Sequence, residues 1–190
     1  MPVSPDIDRS KRFLSLLQPI EGELEIYARR MVWRREDAPD VLQNAVLRAF
    51  AAFDRYREDA SFRAWMYRIL TNEIFTINRR HARHNRSEIS VDAQEMDALE
   101  ALEDATAYTD WLSSPEALRD ALDEDIVAAL DMLTGNERAV LLLRAIGAFH
   151  YHEMAETLAM PLGSVMGHLS RARRKMRDAL RPQNERTLKP

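Results

Sequence analysis

The sequence predicts an all-α protein: two small helical domains joined by an acidic linker, the C-terminal one carrying a helix-turn-helix. Three observations support this. Apolar residues recur at helical spacing through both halves of the chain. The 190 residues include only five glycines, too few for an ordinary sheet-and-turn protein or a glycine-rich phosphate loop. Charge is also segregated. From Arg63 to Arg86 six arginines face one acid, from Glu88 to Asp125 thirteen acids face one base, and from Arg171 to Arg181 six basic residues face one acid. The net charge of −4 conceals these blocks. Two basic blocks around an acidic one suit two polyanion-contacting surfaces joined by a segment that avoids nucleic acid or imitates it. Ordinary solvated helix faces would give the same runs.

The absence of cysteine excludes disulfides, thiolate metal sites and a cysteine nucleophile. The start, Met1-Pro2-Val3-Ser4-Pro5-Asp6, has neither the basic end nor the apolar stretch of a signal peptide. No run approaches the ~18 apolar residues of a membrane span. The expectation is a soluble, cytoplasmic protein without membrane insertion. Domains of about 60–80 residues are near the lower limit for an independent core, so partners are expected to add stability.

In chain order, a first helix is predicted over Ile20–Arg35, with Leu24, Tyr27, Ala28, Met31 and Val32 at helical spacing and Arg34 and Arg35 at its negative end. Asp37 reads as an N-cap, with Pro39 in the first turn of a helix that runs to Phe53. Its inward stripe is Val41, Leu42, Ala45, Val46, Ala49, Phe50 and Phe53. Asp54–Ser61 reads as a polar loop and Phe62–Arg80 as a third helix, which together make a domain over residues 10–87. Residues 88–114 form the acidic linker, in which Met96, Leu99 and Leu102 could make a short amphipathic helix. Ser113-Ser114-Pro115-Glu116 starts the second domain, residues 115–181, whose first helix carries Leu118, Leu122, Ile126, Val127 and Leu130. Thr134 followed by Glu137 has the spacing of a capping box before a buried helix over Asn136–Ile146.

Tyr151–Leu158 is predicted as a short helix, Ala159–Gly163 as a tight connection, and Ser164 as the cap of a longer helix. That helix turns Val165, Leu169, Ala172, Met176 and Leu180 inward, and its opposite face collects Gly167, Ser170, Arg171 and Arg174. A short helix, a turn and a longer helix with a basic outer face is the layout that sets a recognition helix in the major groove, early residues near base edges and basic residues on phosphate. An ordinary helical hairpin with a solvated tail shares the pattern.

These residues carry a family resemblance. Glu137-Arg138-Ala139-Val140-Leu141-Leu142-Leu143-Arg144, Met154-Ala155-Glu156-Thr157-Leu158, Pro161-Leu162-Gly163-Ser164-Val165 and Leu169–Arg177 resemble the C-terminal domain of bacterial sigma factors, in the extracytoplasmic-function group of the sigma-seventy family. Asp37–Asn44 with Ala49-Phe50 resembles region two-point-two of that family. Phe53–Tyr56 and Ser61–Asn72 resemble regions two-point-three and two-point-four. The resemblance covers nearly all of residues 10–181 and implies neither a separate N-terminal inhibitory region nor a folded middle domain.

It implies an alternative sigma factor that binds core RNA polymerase, recognises promoter DNA and helps to melt it. The helix face with Asp40, Gln43, Asn44 and Leu47 corresponds to the surface that docks on the clamp helices of the largest polymerase subunit. Leu47 is the odd residue there, among polar neighbours, although isolated exposed leucines are common. The family often has an acid after the glutamine, and Asn44 lacks that charge. The loop Asp54–Ser61 corresponds to where a flipped minus-ten base is held. Stacking and edge hydrogen bonds suit that task, and Arg55, Tyr56, Arg63, Trp65 and Arg68 interleave aromatics with arginines. Phe62 and Trp65 at helical spacing suit a core better than a DNA contact, so the loop and Asn72 are favoured for base recognition. Arg79, Arg80, Arg83 and Arg86 suit phosphate. In the second domain, Ser164, Met166, Gly167, His168, Ser170, Arg171 and Arg174 are the candidates for the minus-thirty-five element. The family often begins its recognition helix with a basic-small-basic run. Met166-Gly167-His168 stands in its place, and Gly167 costs ~1 kcal/mol of helix propensity relative to alanine. An unusual or weak minus-thirty-five preference is expected, with Arg171 on the outer face, away from the core, as the principal contact. The linker would run near the RNA exit path, and an anti-sigma factor is an expected partner.

His81/His84, and His150/His152 with Glu153 beside them, are the candidate metal groupings, but neither histidine pair has a recognisable third ligand at motif spacing, so no metal site or cofactor is expected. No nucleophile-base grouping or catalytic carboxylate pair stands out, so enzyme activity is not expected. The rival readings are a helix-turn-helix regulator that does not join the polymerase and an enzyme built on the histidines.

Overall fold

The computed structural model describes residues 5–57, 59–85 and 124–180. The expected linker over 88–114, the helix start at Ser113–Glu116, Leu118, Leu122 and Arg86 lie outside these residues. Among the described residues all regular structure is helical, and no helix is long and apolar enough to cross a membrane. They divide between two compact units, split near residue 91.

The first unit begins with α1 (Pro5–Leu17), a helix that the sequence reading did not place. Phe13, Leu17 and the following Ile20 turn inward at helical spacing, whereas Ile7 and Leu14 are exposed, which blurs the pattern along the sequence. Helix α2 (Glu21–Met31) buries Leu24, Tyr27, Ala28 and Met31. It ends four residues before the expected Arg35, because Val32 is extended at ψ 147°. Arg29 and Arg30, rather than Arg34 and Arg35, therefore occupy its last turn. Asn78 closes this end: its amide donates to the Met31 carbonyl at 3.0 Å and its carbonyl accepts the Trp33 N–H at 3.1 Å.

Helix α3 (Ala38–Ala52) follows a short 3-10 turn. Asp37 precedes it without capping it. The carboxylate instead lies 2.7 Å from His81 Nε2 on α4 (Phe62–Asn85), so the long-range partner takes the oxygen that an N-cap would use. Helix α4 runs five residues past Arg80 and packs against α2 and α3 through Met66, Tyr67, Leu70, Ile74 and Asn78. Within that core the Tyr27 and Thr71 hydroxyls are 2.8 Å apart, and Thr71 donates to the Tyr67 carbonyl. Burial raises the Tyr27 phenol far above its ordinary pKa, more than the Thr71 bond lowers it, so this polar contact stays neutral.

The second unit contains α5 (Glu124–Asp131), α6 (Gly135–Ala145), α7 (Tyr151–Leu158) and α8 (Leu162–Leu180). The capping box at α6 is present: Thr134 N–H donates to Glu137 Oε2 at 3.0 Å and Glu137 N–H to Thr134 Oγ1 at 3.3 Å. Arg138, almost fully buried, donates from Nε to the Leu130 carbonyl at 3.0 Å and lies 2.6 Å from Asp131, which ties α6 to the end of α5. The turn between α7 and α8 is tighter than expected. Ala159 adopts the left-handed conformation (φ 52°, ψ 45°), and Met160 N–H returns to the Ala155 carbonyl at 3.0 Å. Helix α8 starts at Leu162, and the Ser164 N–H donates to the Pro161 carbonyl at 3.0 Å. Ser164 is thus a residue of the first turn, not the cap.

Candidate nucleic-acid interface

Helix α4 builds the candidate surface of the first unit. Residues 68, 72, 76, 79 and 83 recur every three or four positions, so Arg68, Asn72, Thr76, Arg79 and Arg83 form one exposed stripe with Arg80 at its edge. The core side of the helix is fixed by Tyr67, Leu70, Thr71 and Ile74, all fully buried, and this leaves the opposite side to the arginines. Glu73 is not on the stripe. It pairs with Arg48 of α3 at 2.9 Å, so it does not dilute the positive face.

At the start of this stripe stands the loop after α3. Its first two residues, Asp54 and Arg55, belong with Phe53 to a 3-10 turn instead of open loop. The Tyr56 ring stacks on Phe53 at 5.8 Å and its hydroxyl donates to the Ala60 carbonyl at 2.7 Å, which pins the loop across its own span. Phe53 and Phe62 are buried, Tyr56 and Trp65 are half-buried and 5.3 Å apart, and Arg55 and Arg57 are exposed. The aromatics between 53 and 67 therefore divide. Phe53, Phe62 and Tyr67 are core, while Tyr56 and Trp65 keep part of their rings at the surface. Arg63 leaves the candidate surface. Its guanidinium is half-buried and pairs with Glu23 of α2, its Nε 3.0 Å from Oε2, so an interhelix tie uses the donors that DNA would need.

On α3 the buried residues Ala38, Val41, Ala45 and Ala49 leave Asp40, Gln43, Asn44, Leu47, Arg48 and Ala51 outward. Leu47 is 59% exposed, a large apolar side chain on a face otherwise made of polar residues and Ala51.

In the second unit, α8 presents Gly163, Ser164, Met166, Ser170 and Arg174 to solvent and leaves Gly167 half-exposed. Two residues expected on this face are elsewhere. His168 is buried, its Nδ1 2.9 Å from an Arg171 nitrogen. Arg171 folds back toward the domain, with Nε 3.4 Å from Oε1 of Glu137. The cause is Glu137, a carboxylate 1% exposed, which draws two cations from α8, Arg171 and Lys175. A Cβ at Gly167 would sit 3.4 Å from the Arg171 guanidinium, an ordinary van der Waals contact, so this inward path does not require glycine there. Adjacent to a buried acid, Arg171 is in part an interior residue, and sequence spacing alone gave no sign of its partner 34 positions earlier.

Among the described residues no three His, Asp or Glu side chains converge. His81 is engaged with Asp37, and Glu153 accepts the His150 backbone N–H at 2.6 Å.

Comparison with known proteins agrees with this arrangement of two helical units. Residues 20–84 match the family model of sigma-70 region 2, and residues 123–176 that of sigma-70 region 4. The chain is 30% identical over 180 residues to the ECF RNA polymerase sigma factor SigG of Mycobacterium tuberculosis, a match covering 89% of this chain and 49% of SigG. The chain therefore spans about half the length of that relative. It is 30% identical over 148 residues to the ECF RNA polymerase sigma-E factor of Escherichia coli K12, covering 77% of this chain and 75% of that protein. The sigma factor RpoE of Bartonella quintana, solved in complex with the anti-sigma factor NepR, shares the fold at a TM-score of 0.68 and 21% identity, over 91% of this chain and 99% of that one. With both regions present in order, the chain belongs to the extracytoplasmic-function group of the sigma-70 family.

Proposed function

We propose that this protein is an alternative sigma factor that joins core RNA polymerase, recognises minus-ten and minus-thirty-five promoter elements and promotes initiation. The observation that carries this is the pairing, in one chain, of a region 2 unit bearing an exposed arginine stripe with a region 4 unit bearing a helix-turn-helix. Asp40, Gln43, Asn44 and Leu47 dock on the clamp helices of the largest polymerase subunit. Leu47 supplies apolar contact area that solvent exposure alone does not justify.

The loop at 54–61 and Asn72 capture a minus-ten base, with Tyr56 and Trp65 offering ring surface and Arg55 and Arg68 polar contacts. Arg79, Arg80 and Arg83 hold phosphates and supply salt-dependent affinity. The minus-thirty-five duplex meets Ser164, Met166, Gly167, Ser170 and Arg174, while Arg171 reaches it only from the flank. Polymerase performs the chemistry, and this chain supplies recognition and strand separation in the cytoplasm. The shared fold with a sigma factor solved on its anti-sigma partner supports an anti-sigma factor as a further partner here.

Run-off transcription with purified core polymerase and a genomic promoter library tests the reading. The expected outcome is a set of transcripts absent with core alone. No added transcripts, together with no co-purification of core, would leave a DNA-binding regulator instead.

A further inference from the structure

Helix α1 lies before residue 20, where the match to region 2 begins. Its side chains meet Phe50, Phe53, Asp54 and Phe62, residues at the two stems of the loop after α3. Arg9 donates from Nη2 to the Phe50 carbonyl at 2.6 Å. Its Nε lies 2.9 Å from Asp54 Oδ1, and its guanidinium carbon 4.6 Å from the centre of the Phe50 ring. The Phe50 carbonyl also accepts the Phe53 N–H, so it is the point where α3 gives way to the 3-10 turn. Asp54 is the first residue of the loop. A single side chain thus grips the end of the helix and the beginning of the loop.

Its neighbours on α1 extend the grip. The Arg12 guanidinium lies 5.5 Å from the Phe53 ring centre. The Phe13 ring meets Phe50, Phe53 and Phe62 edge-on at 5.3, 5.2 and 5.7 Å. Phe53 precedes the loop and Phe62 follows it, so α1 holds both stems. The Arg9 side chain is 26% exposed and turned to these partners, which gives it a bracing geometry instead of a DNA-facing one.

We propose that Arg9 is a positioning residue for minus-ten recognition: by joining the Phe50 carbonyl to Asp54 it fixes the angle at which the loop 54–61 meets the flipped base. The inference rests on the proposed reading of that loop. Planarity matters, because one guanidinium hydrogen-bonds a carbonyl from Nη2 and sets Nε at ion-pair distance from a carboxylate while lying over a ring. A lysine ammonium keeps the charge without the fork. Loss of Arg9 therefore frees the stem without removing a DNA contact, and the expected effect falls on discrimination between bases more than on polymerase affinity.

The experiment uses holoenzyme reconstituted with full-length protein, in a selection on promoters randomised across the minus-ten element. Arg9→Met, which keeps apolar cover over Phe50, and Arg9→Lys run beside wild type and beside a variant with loop residues 55–60 exchanged. Expected is a loss of minus-ten discrimination of about tenfold for Arg9→Met, with core affinity within about twofold and only partial rescue by Arg9→Lys. A shifted profile for the loop exchange with an unchanged profile for folded Arg9→Met overturns the role of Arg9 alone. If neither profile shifts, the loop is not the reader and both proposals fail. Should Arg9→Met lose core affinity as much as discrimination, Arg9 is a general support of the domain and the positioning role is overturned. Urea unfolding of each variant separates these outcomes from misfolding.

Discussion

Lys175 donates to Oε2 of Glu137 at 2.7 Å, joining the C-terminal half of the helix-turn-helix to the capping box that starts α6. One carboxylate thereby serves the Thr134 backbone, Lys175 and Arg171 while only 1% exposed. Burial raises its pKa, but bonds from Lys175 and Thr134 and the ammonium charge outweigh that, and the net position is below the ordinary 4.5.

A pH dependence follows from that sign. A carboxyl whose pKa is lower in the folded chain binds its proton more readily when unfolded, so its stabilisation is present above about 4.5 and fades as pH falls through the lower folded value. Glu137→Gln should lower stability by about 1–3 kcal/mol at pH 7. The gap to wild type should narrow as pH drops below 4.5. Urea unfolding of both proteins at pH 7, 5, 4 and 3, followed by the helical signal, checks it, and a gap that stays constant would refute the assignment.

Arg171 and Arg174 should separate. Arg174→Ala should weaken minus-thirty-five duplex binding with a salt slope shallower by about one and leave stability unchanged. Arg171→Ala should lower stability by about 1 kcal/mol, because it strips one cation from a buried acid. Titrations at two salt concentrations on specific and scrambled duplexes, with a melting curve for each variant, test the pair. Equal stability of both variants would mean the Glu137 contact contributes nothing in solution.

Leu47→Asp should weaken binding to core polymerase by about tenfold or more without changing the helical signal, since charge in a buried apolar contact is costly. Leu47 is 59% exposed in the free chain, so folding has little stake in it. Fluorescence titration of labelled core gives the answer, and equal affinities would remove Leu47 from the interface.

Exchanging residues 55–60 should change which minus-ten sequences are selected while leaving minus-thirty-five duplex binding unaltered. The stems at Phe53 and Phe62 are buried and untouched by the exchange, so the domain keeps its core. Selection sequencing reports the profile, and an unchanged one would mean that base capture lies elsewhere, with Asn72 as the next residue to examine.

The sequence by itself determined the all-helical class, the exposed face of α3, the capping box at Thr134 and the inward stripe of α8. These follow from local rules: a 3.6-residue period, or a cap and its partner three residues apart, is complete within one element. The family resemblance was legible for the same reason, because its motifs are short and contiguous.

The tertiary structure decided the partners of charged and aromatic side chains. Asp37 has the form of an N-cap, yet it faces His81, 44 residues later in the chain. Arg63 and Arg171 have the spacing of DNA contacts, yet they turn to Glu23 and Glu137. Trp65 and Phe62 share a spacing, but only Phe62 is buried. A long side chain on a helix flank can reach water or a neighbouring helix with equal ease. The choice is set by whether packing brings a complementary charge within a few ångströms, and helical periodicity contains no information about that.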